Sequence, residues 1–233
     1  MDYTPLLEQL HRNTLESQAL LRESRLVLCL GSRLTLTVIS SNFARPGQVV
    51  GAGTTEAEGL VQVRRHRPDV LICSDQLEQG CGVALVLAVK QHDPEQRTLL
   101  IVGNPRRRAR IRAAIRAGCE GICLESRLGL GDGAGAVRAV CNGGVYLDRE
   151  LRSLFAHPEL DGLHQDGPRE DLSPRELAVL AQATDGHSNA EIASQLYVTA
   201  ETVKTHMGRV MTKLGARNRT HAAALGIRLG LVE

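Results

Sequence analysis

The side chains with the clearest chemical use lie on one predicted helix near the end of the chain, from Thr199 to Leu214. Its apolar residues recur at intervals of three and four, which predicts a buried face made of Val203, Met207, Val210 and Leu214. The opposite face carries Lys204, Thr205, Gly208 and Arg209. From residue 199 to 220 the single acid, Glu201, stands against five bases: Lys204, Arg209, Lys213, Arg217 and Arg219. A surplus of about four positive charges suits a polyanion, because each neutralised phosphate releases counterions.

The start of this helix and of two helices before it can be read from capping residues. Ser173 and Glu176 have the spacing of a capping box, with a proline at the first helical position between them. Ser188 and Glu191 repeat the device at the next helix. Thr199 is expected to cap the third, because its hydroxyl can accept from a free N–H of the first turn.

The connection between the second and third of these helices is very short. It consists of Leu196, Tyr197 and Val198. Two helices joined so closely must cross steeply, which predicts a helix-turn-helix.

The stretch from Leu172 to about Val232 resembles the LuxR-type (NarL/FixJ) four-helix DNA-binding domain. The matching words are Leu-Ser-Pro-Arg-Glu, Ser-Asn-Ala-Glu-Ile-Ala, Thr-Val-Lys-Thr-His and Lys-Leu-Gly-Ala-Arg-Asn-Arg-Thr, each at the family spacing. The resemblance implies that residues 199–214 form the recognition helix in the major groove of double-stranded DNA, with Lys204 and Thr205 at base edges or nearby phosphates. The other expected DNA-binding residues contact the DNA backbone or position the helix: Thr202, His206, Arg209, Lys213, Ser188 and Asn189.

Two positions depart from the family pattern. Ala190 stands where the family often has a basic residue, and Gly208 where it frequently has a polar or basic one. Fewer direct contacts are therefore available to a single module. The final helix, about Arg219 to Leu229, contains small residues that allow close helix approach. In the family this helix forms the dimer contact on DNA, which implies a homodimer, and packing within the domain is the alternative interpretation.

Length and composition indicate two ordinary globular domains. The chain has 233 residues, of which 42% are hydrophobic, and its formal charge of +2 is too small to indicate a partner. No apolar run approaches the length of a membrane span, and the N-terminus does not have the pattern of a signal peptide. We therefore expect a cytoplasmic protein that does not contact a membrane.

Neither metal, cofactor nor catalytic chemistry is indicated. The six cysteines form no Cys-x-x-Cys and lack histidines at zinc-finger spacing. Cys29, Cys73 and Cys123 lie in apolar runs and are expected to be core thiols, with a redox role for some pair as the alternative. A nucleophile with its base cannot be assembled, so an enzyme is not expected.

The first two-thirds of the chain alternates apolar runs with helical stretches. The runs are 26–30, 48–50, 70–73, 99–102 and 121–124, and the helical stretches are 33–42, 56–66, 81–91, 106–117 and 133–142. This order predicts a doubly wound α/β domain of the flavodoxin type, with a five-stranded parallel sheet and a ligand crevice at the carboxyl ends of its strands. The expected division is a helical extension over 1–24, the sheet domain over 25–147, a linker over 148–170 and the all-α helix-turn-helix domain over 171–233.

Residues 25 to 147 resemble the receiver domain of two-component systems in Val49-Val-Gly, Arg67-Pro-Asp-Val-Leu-Ile and Ala117-Gly-Cys-Glu-Gly. A receiver needs an acidic pair for Mg²⁺, an acceptor aspartate, a hydroxyl residue and a lysine. At these positions, in that order, an ungapped count finds Gly31 with Ser32, Ser74, Gly103 and Glu125. The phosphorylation site is therefore expected to be degenerate. Asp75 is one residue from the acceptor position, but alternation along a strand predicts that its side chain faces the other way.

Six arginines crowd the fourth helical stretch of this domain: Arg106, Arg107, Arg108, Arg110, Arg112 and Arg116. They form either a solvated face or a contact for an acidic protein, nucleic acid or anionic ligand. The glycine-rich run 129–135 lacks the pattern of a phosphate-binding loop and is expected to be a connection, with Asp132 as the cap of the next helix.

These features predict a sequence-specific transcription regulator that binds DNA as a dimer and does not depend on phosphorylation. The N-terminal extension is expected to pair with its copy in the dimer, and packing on the sheet domain is the alternative. A second hypothesis is an interaction or adaptor module with ligand or redox input and weak DNA binding. Another regulator and RNA polymerase are possible protein partners.

Overall fold

A parallel sheet of six strands forms the centre of the N-terminal part of the chain. The computed structural model describes residues 4–42, 47–156 and 172–232. In the order β2-β1-β3-β4-β5-β6, the strands are β2 Val49–Gly53, β1 Leu26–Cys29, β3 Val70–Ser74, β4 Arg97–Val102, β5 Gly121–Leu124 and β6 Tyr146–Leu147. The predicted fold class is confirmed, but the sheet has one strand more than the five expected. β6 was missed because two residues, paired with Gly121 and Ile122, are too few to show a period.

Helices cover both faces of this sheet. We call the sheet and these helices together the receiver-like unit. They are α2 Arg33–Asn42, α3 Glu56–His66, α4 Gly82–His92, α5 Arg108–Ala117 and α6 Asp132–Cys141. One apolar core joins alternate strand residues such as Val27, Leu71 and Leu100 to α3, α4 and α5. The residues between them, such as Leu28 and Ile72, join a second core with α2 and α6. The alternation arises because successive side chains of a strand point to opposite faces.

Ahead of the sheet, a three-residue 3-10 turn, Thr4–Leu6, leads into α1, Leu7–Leu21. The helix packs on α6 and on a 3-10 segment, Glu125–Leu130. Leu21 is 1% exposed within the second core, and Asn13 Nδ2 donates to Gly129 O over 3.0 Å. The alternative, packing of α1 on the sheet domain, is therefore seen within the chain, while Leu7 and Leu15 of the same helix stay exposed. Pairing of α1 with a second copy stays a prediction.

The glycine-rich connection before α6 differs from expectation in one detail. Gly131, with a φ of 107°, occupies the cap position of α6, and Asp132 makes no cap bond. The Asp132 carboxylate instead accepts from Arg127 Nε at 2.8 Å and from the Tyr146 hydroxyl at 2.6 Å. These two partners draw the side chain away from the free N–H groups of the helix.

The remaining helices form the C-terminal part. α7 spans Arg149–Ala156 at the start of the expected linker, and residues 157–171 lie outside the described part of the chain. Four helices follow, which we call the C-terminal helical unit: α8 Pro174–Thr184, α9 Asn189–Leu196, α10 Ala200–Leu214 and α11 Arg219–Arg228. They share their own apolar core, built around Leu180, Ile192, Val203, Val210 and Ala222.

Helix α11 joins the two units. It packs on α8 and α10 within its own unit and on α5 and α7 outside it. Ala224 and Ile227 belong to the core that also contains α5 residues. Asn218, which caps α11, donates from Nδ2 to Arg116 O at the end of α5 over 2.9 Å. The helix that the resemblance assigns to a dimer contact is thus covered within the chain in this arrangement.

We predict that Leu21→Ala lowers the free energy of unfolding by about 3 kcal/mol, because it removes a fully buried side chain and leaves a cavity. The matched control is Leu7→Ala in the same helix. Leu7 is 58% exposed, so its loss is expected to cost less than about 0.5 kcal/mol. Urea unfolding at two protein concentrations measures both changes. Equal effects, or a Leu21→Ala effect that varies with concentration, would contradict the packing of α1 within the chain.

Candidate nucleic-acid interface

Three side-chain caps fix the starts of α8, α9 and α10. The hydroxyl of Ser173 accepts from Glu176 N, and Glu176 Oε2 accepts from Ser173 N over 2.8 Å. Ser188 and Glu191 form the same reciprocal pair at α9. Thr199 Oγ1 accepts from Thr202 N at 3.1 Å at the start of α10. Both capping boxes and the third cap were predicted from spacing and are confirmed.

The turn between α9 and α10 depends on Tyr197. This residue ends α9 with a φ of 55° and a ψ of 46°, in the left-handed region. A non-glycine residue pays about 1 kcal/mol for that conformation. The ring gains little burial in return, since Tyr197 is 95% exposed. Sequence reasoning gave Tyr197 no role, although a large exposed aromatic beside α10 is an unusual surface feature.

The outward face of α10 carries the predicted contact residues. Lys204, Thr205 and Arg209 are exposed, while Thr202 and His206 are half-buried. Among the described residues nothing pairs with the Lys204 ammonium or the Arg209 guanidinium, so both cations are available to an anion. A Cβ added at Gly208 would meet no atom within 4 Å. The face is therefore open, with a flat centre between its two cations.

Other predicted contact residues already have partners inside the unit. Lys213 Nζ lies 2.9 Å from Glu176 Oε2 and ties α10 to the cap of α8. Asn189 Oδ1 accepts from Arg219 Nη1 at 2.6 Å, and Arg219 also donates to His187 O. Burial lowers the pKa of Arg219 to about 10. Sequence analysis included Lys213 and Arg219 among the basic residues available to a polyanion, but in the structure both side chains hold helices together.

The neighbours of Glu176 determine the pKa of its capping carboxylate. Burial alone would raise its pKa, but hydrogen bonds from Ser173 and the ammonium of Lys213 outweigh that effect and lower it. Glu176 therefore stays ionised at neutral pH and anchors both the first capping box and the far end of α10.

A second site lies at the carboxyl ends of the strands, in a pocket of about 360 Å³. It is lined by all five positions assigned to the degenerate phosphorylation site: Gly31, Ser32, Ser74, Gly103 and Glu125. Ser74 Oγ accepts from Gly31 N at 3.0 Å and donates to Gln76 O at 2.8 Å. The hydroxyl at the acceptor position is thus held by the backbone around it.

Asp75 also lines this pocket, which overturns the expectation that its side chain faces away. The side chain is 5% exposed, and its Oδ1 accepts from Gly103 N over 2.9 Å. The alternation rule fails here because β3 ends at Ser74.

The arginine-rich helix begins later than predicted, at Arg108 instead of 106. Arg106, Arg107, Arg110 and Arg116 are exposed, while Arg108 and Arg112 are half-buried. Arg110 Nη1 donates to Cys81 Sγ at 3.5 Å. The face keeps most of its charge in solvent beside α11.

The cysteines are free thiols, and Cys29, Cys73 and Cys123 are buried as expected. Burial raises the pKa of Cys29 and of Cys119 to about 12. Since the thiolate is the reactive form, these buried thiols are chemically quiet at neutral pH. Within the described ranges, no group of three His, Cys, Asp or Glu residues is placed to hold a metal ion.

Comparison with known proteins gives this architecture a family. The model of the luxR family of bacterial regulatory proteins matches residues 170–225. The transcriptional regulatory protein LnrK of Bacillus subtilis is 30% identical over 191 residues, which cover 78% of this chain and 86% of that protein. The chain belongs to the luxR family of response regulators.

Other regulatory proteins match over a similar length. The DNA-binding transcriptional activator DevR/DosR of Mycobacterium tuberculosis is 28% identical over 181 residues, which cover 78% of this chain and 82% of that protein. A solved structure of the Salmonella typhimurium RcsB response regulator is 22% identical, with a TM-score of 0.49, and covers 86% of this chain and 96% of that one. These relatives are regulators rather than enzymes. No helix in the described part of this chain is long and apolar enough to cross a membrane.

We predict that acid weakens the fold through His221 on α11. Burial, reinforced by Arg116, Arg217 and Arg228, lowers the pKa of His221 from 6.5 to about 4. The unfolded chain therefore binds the proton more readily, and stability falls as the pH drops from 6.5 towards 4. His221→Gln is expected to flatten this dependence, whereas His92→Gln, at an exposed site, is not. The urea midpoint of each variant is measured across that pH window. An unchanged dependence of the midpoint on pH in His221→Gln would refute the assignment.

Proposed function

We propose that this chain is a sequence-specific regulator of transcription that binds double-stranded DNA as a dimer, without phosphorylation of its receiver-like unit. The observation that carries the DNA-binding part is the outward face of α10. Lys204 and Arg209 are exposed there without an internal partner, on a helix-turn-helix fixed by three caps. Phosphates can be neutralised by such cations without breaking an existing ion pair.

The contacts that read the sequence are assigned to the middle of α10. Lys204 and Thr205 lie on its exposed face and reach base edges or nearby phosphates when the helix enters the major groove. Arg209 and Thr202 contact the DNA backbone, and His206 positions the helix. Ser188, Asn189 and Lys213 act mainly by holding α9 and α10 in place, because their side chains are already hydrogen-bonded within the unit.

Independence from phosphorylation is supported by the charges of the strand-end pocket. Its lining contains the carboxylates of Asp75 and Glu125 and no lysine or arginine. A phosphoryl group needs a cation to offset its charge. Here it would meet two acids instead.

The dimer requires a surface other than the covered one, or a rearrangement that frees α11. Since α11 packs on α5 and α7 in this arrangement, we propose that the two units separate when two copies bind DNA through α11. The proposed boundaries are consistent with this separation: an extension over 1–24, the receiver-like unit over 25–147, a linker over 148–170 and the DNA-binding unit over 171–233. The exposed arginines around α5 are the surface that favours a second candidate function, docking of an acidic protein such as another regulator.

The first test is Lys204→Ala on a genomic fragment selected by the purified wild-type protein. We expect at least about a tenfold loss of affinity, because a direct contact in the groove is lost. Arg64→Ala, which removes an exposed base on α3, is the matched control and is expected to bind as wild type. Fluorescence anisotropy at several salt concentrations measures both. Wild-type affinity in Lys204→Ala would show that this face does not read DNA.

The second test concerns phosphorylation. Incubation with acetyl phosphate and Mg²⁺ is expected to leave the intact mass and the DNA affinity unchanged, because the pocket offers a phosphoryl group no cation. A conventional receiver treated in the same way provides the positive control. A phosphoryl adduct that disappears in Asp75→Asn would overturn the proposal and identify Asp75 as the acceptor.

A further inference from the structure

The strand-end pocket adjoins a second cavity, and the function proposed above uses neither as a binding site. The strand-end pocket, here the polar chamber, has a volume of about 360 Å³. The second cavity, here the apolar chamber, has about 210 Å³ and lies between α1 and the sheet. Both are lined by Ile39, Ile101 and Leu128, so the two chambers lie side by side.

Three polar groups converge in the polar chamber. A Cβ added at Gly103 would lie 3.1 Å from Glu125 Oε2, 3.4 Å from Gln76 Nε2 and 3.5 Å from Asp75 Oδ1. Because residue 103 is glycine, that point stays open. Two acceptors and an amide therefore surround one small volume.

The charge in this chamber is uncompensated. The Asp75 side chain is 95% buried, and Oδ1 accepts one backbone hydrogen bond, from Gly103. Neither Asp75 Oδ2 nor the Glu125 carboxylate has a partner among the residues that the structure describes. No lysine, arginine or histidine lines either chamber. Asp75 is buried whereas Glu125 is exposed. Since a buried carboxylate is stabilised by an opposite charge, the chamber is suited to a cation.

The lining of the apolar chamber indicates which kind of cation fits. Its aliphatic lining includes Leu10, Ile72, Leu99 and Val137. A metal ion would leave this space unused, and an anion would be repelled from the neighbouring chamber. A ligand with a charged head and an apolar body would fill both.

We propose that the two chambers together bind a small organic cation, a primary amine that carries a short apolar chain. The ammonium group donates to Asp75 Oδ2 and to the Glu125 carboxylate. The chain passes Ile39 and Leu128 and lies between α1 and the sheet. The site occupies the crevice at the carboxyl ends of the strands, where doubly wound folds bind their ligands.

The probe is n-hexylamine, titrated into the ¹⁵N-labelled full-length protein and followed by NMR. We expect saturable shifts of the Gly103 and Glu125 amides. Affinity should rise about fourfold for each methylene from propylamine to hexylamine, because each added CH₂ is buried. Hexanoate and hexan-1-ol, which have the same chain without the positive charge, should not saturate the site.

Two variants test the head group and one tests the chain. Glu125→Gln and Asp75→Asn should each weaken hexylamine binding about tenfold, since each removes a charge-assisted hydrogen bond. Glu95→Gln, at an exposed carboxylate outside both chambers, is the matched control. Ser17→Leu adds volume at the wall of the apolar chamber, so it should weaken hexylamine binding and leave propylamine binding unchanged.

The outcomes are separable from those for DNA binding. Absence of saturable hexylamine binding to the wild type overturns the proposal. Equal binding of hexanoate, or an unchanged affinity for hexylamine in Glu125→Gln, also overturns it. The Glu125 side chain is exposed, and thermal unfolding checks that the variant is folded. Failure of Lys204→Ala to affect DNA binding concerns a different surface and leaves this site standing.

Discussion

The arrangement of the whole chain depends on the close packing of α11 on both of its sides. Its middle is made of small residues, and a Cβ added at Gly226 would lie 2.9 Å from Leu180 Cδ2 of α8. That close approach places α8 and α10 on one side of the helix while Ala224 and Ile227 join the apolar core of the receiver-like unit on the other. A Cβ at position 226 would require the side chain of Leu180 to shift. The orientation of α10 relative to the sheet is thus set by α11.

This packing leaves the two surfaces that the proposed function requires in different states. The outward face of α10 is open, because α10 packs on α8, α9 and α11 and its cations point into solvent. The surface of α11 is covered by α5 and α7. One module can therefore approach DNA in this arrangement, but two modules cannot pair through α11 until the units separate. Under the proposed function, Ala190 and Gly208 leave a single module with few direct contacts, so pairing would matter more for affinity than in a module with a fuller contact set.

Sequence reasoning succeeded where a rule acts over a few neighbouring residues. The capping boxes at Ser173 and Ser188 depend on a hydroxyl and a carboxylate three residues apart, and no distant contact competes with them. It failed where a partner comes from elsewhere in the chain. Asp75 turns into the pocket because a glycine 28 residues later offers its N–H. Asp132 is the first residue of α6, not its cap, and its carboxylate accepts from Tyr146 and Arg127. No local pattern contains that information.

The same distinction explains how charge is divided in the C-terminal unit. From spacing alone, every basic side chain is expected to be equally available at the surface. In the three-dimensional structure, their positions differ according to the buried groups that lie near them. Lys213 lies beside Glu176, a carboxylate that is 3% exposed and must be compensated, and Arg219 is enclosed among the ends of helices where backbone carbonyls need donors. No buried carboxylate or carbonyl among the described residues pairs with Lys204 or Arg209, and both side chains stay in solvent. The cations that stabilise the helix-turn-helix and the cations that remain for a polyanion are therefore different residues. If the proposed function holds, a substitution at Lys204 weakens DNA binding without weakening the fold that presents it.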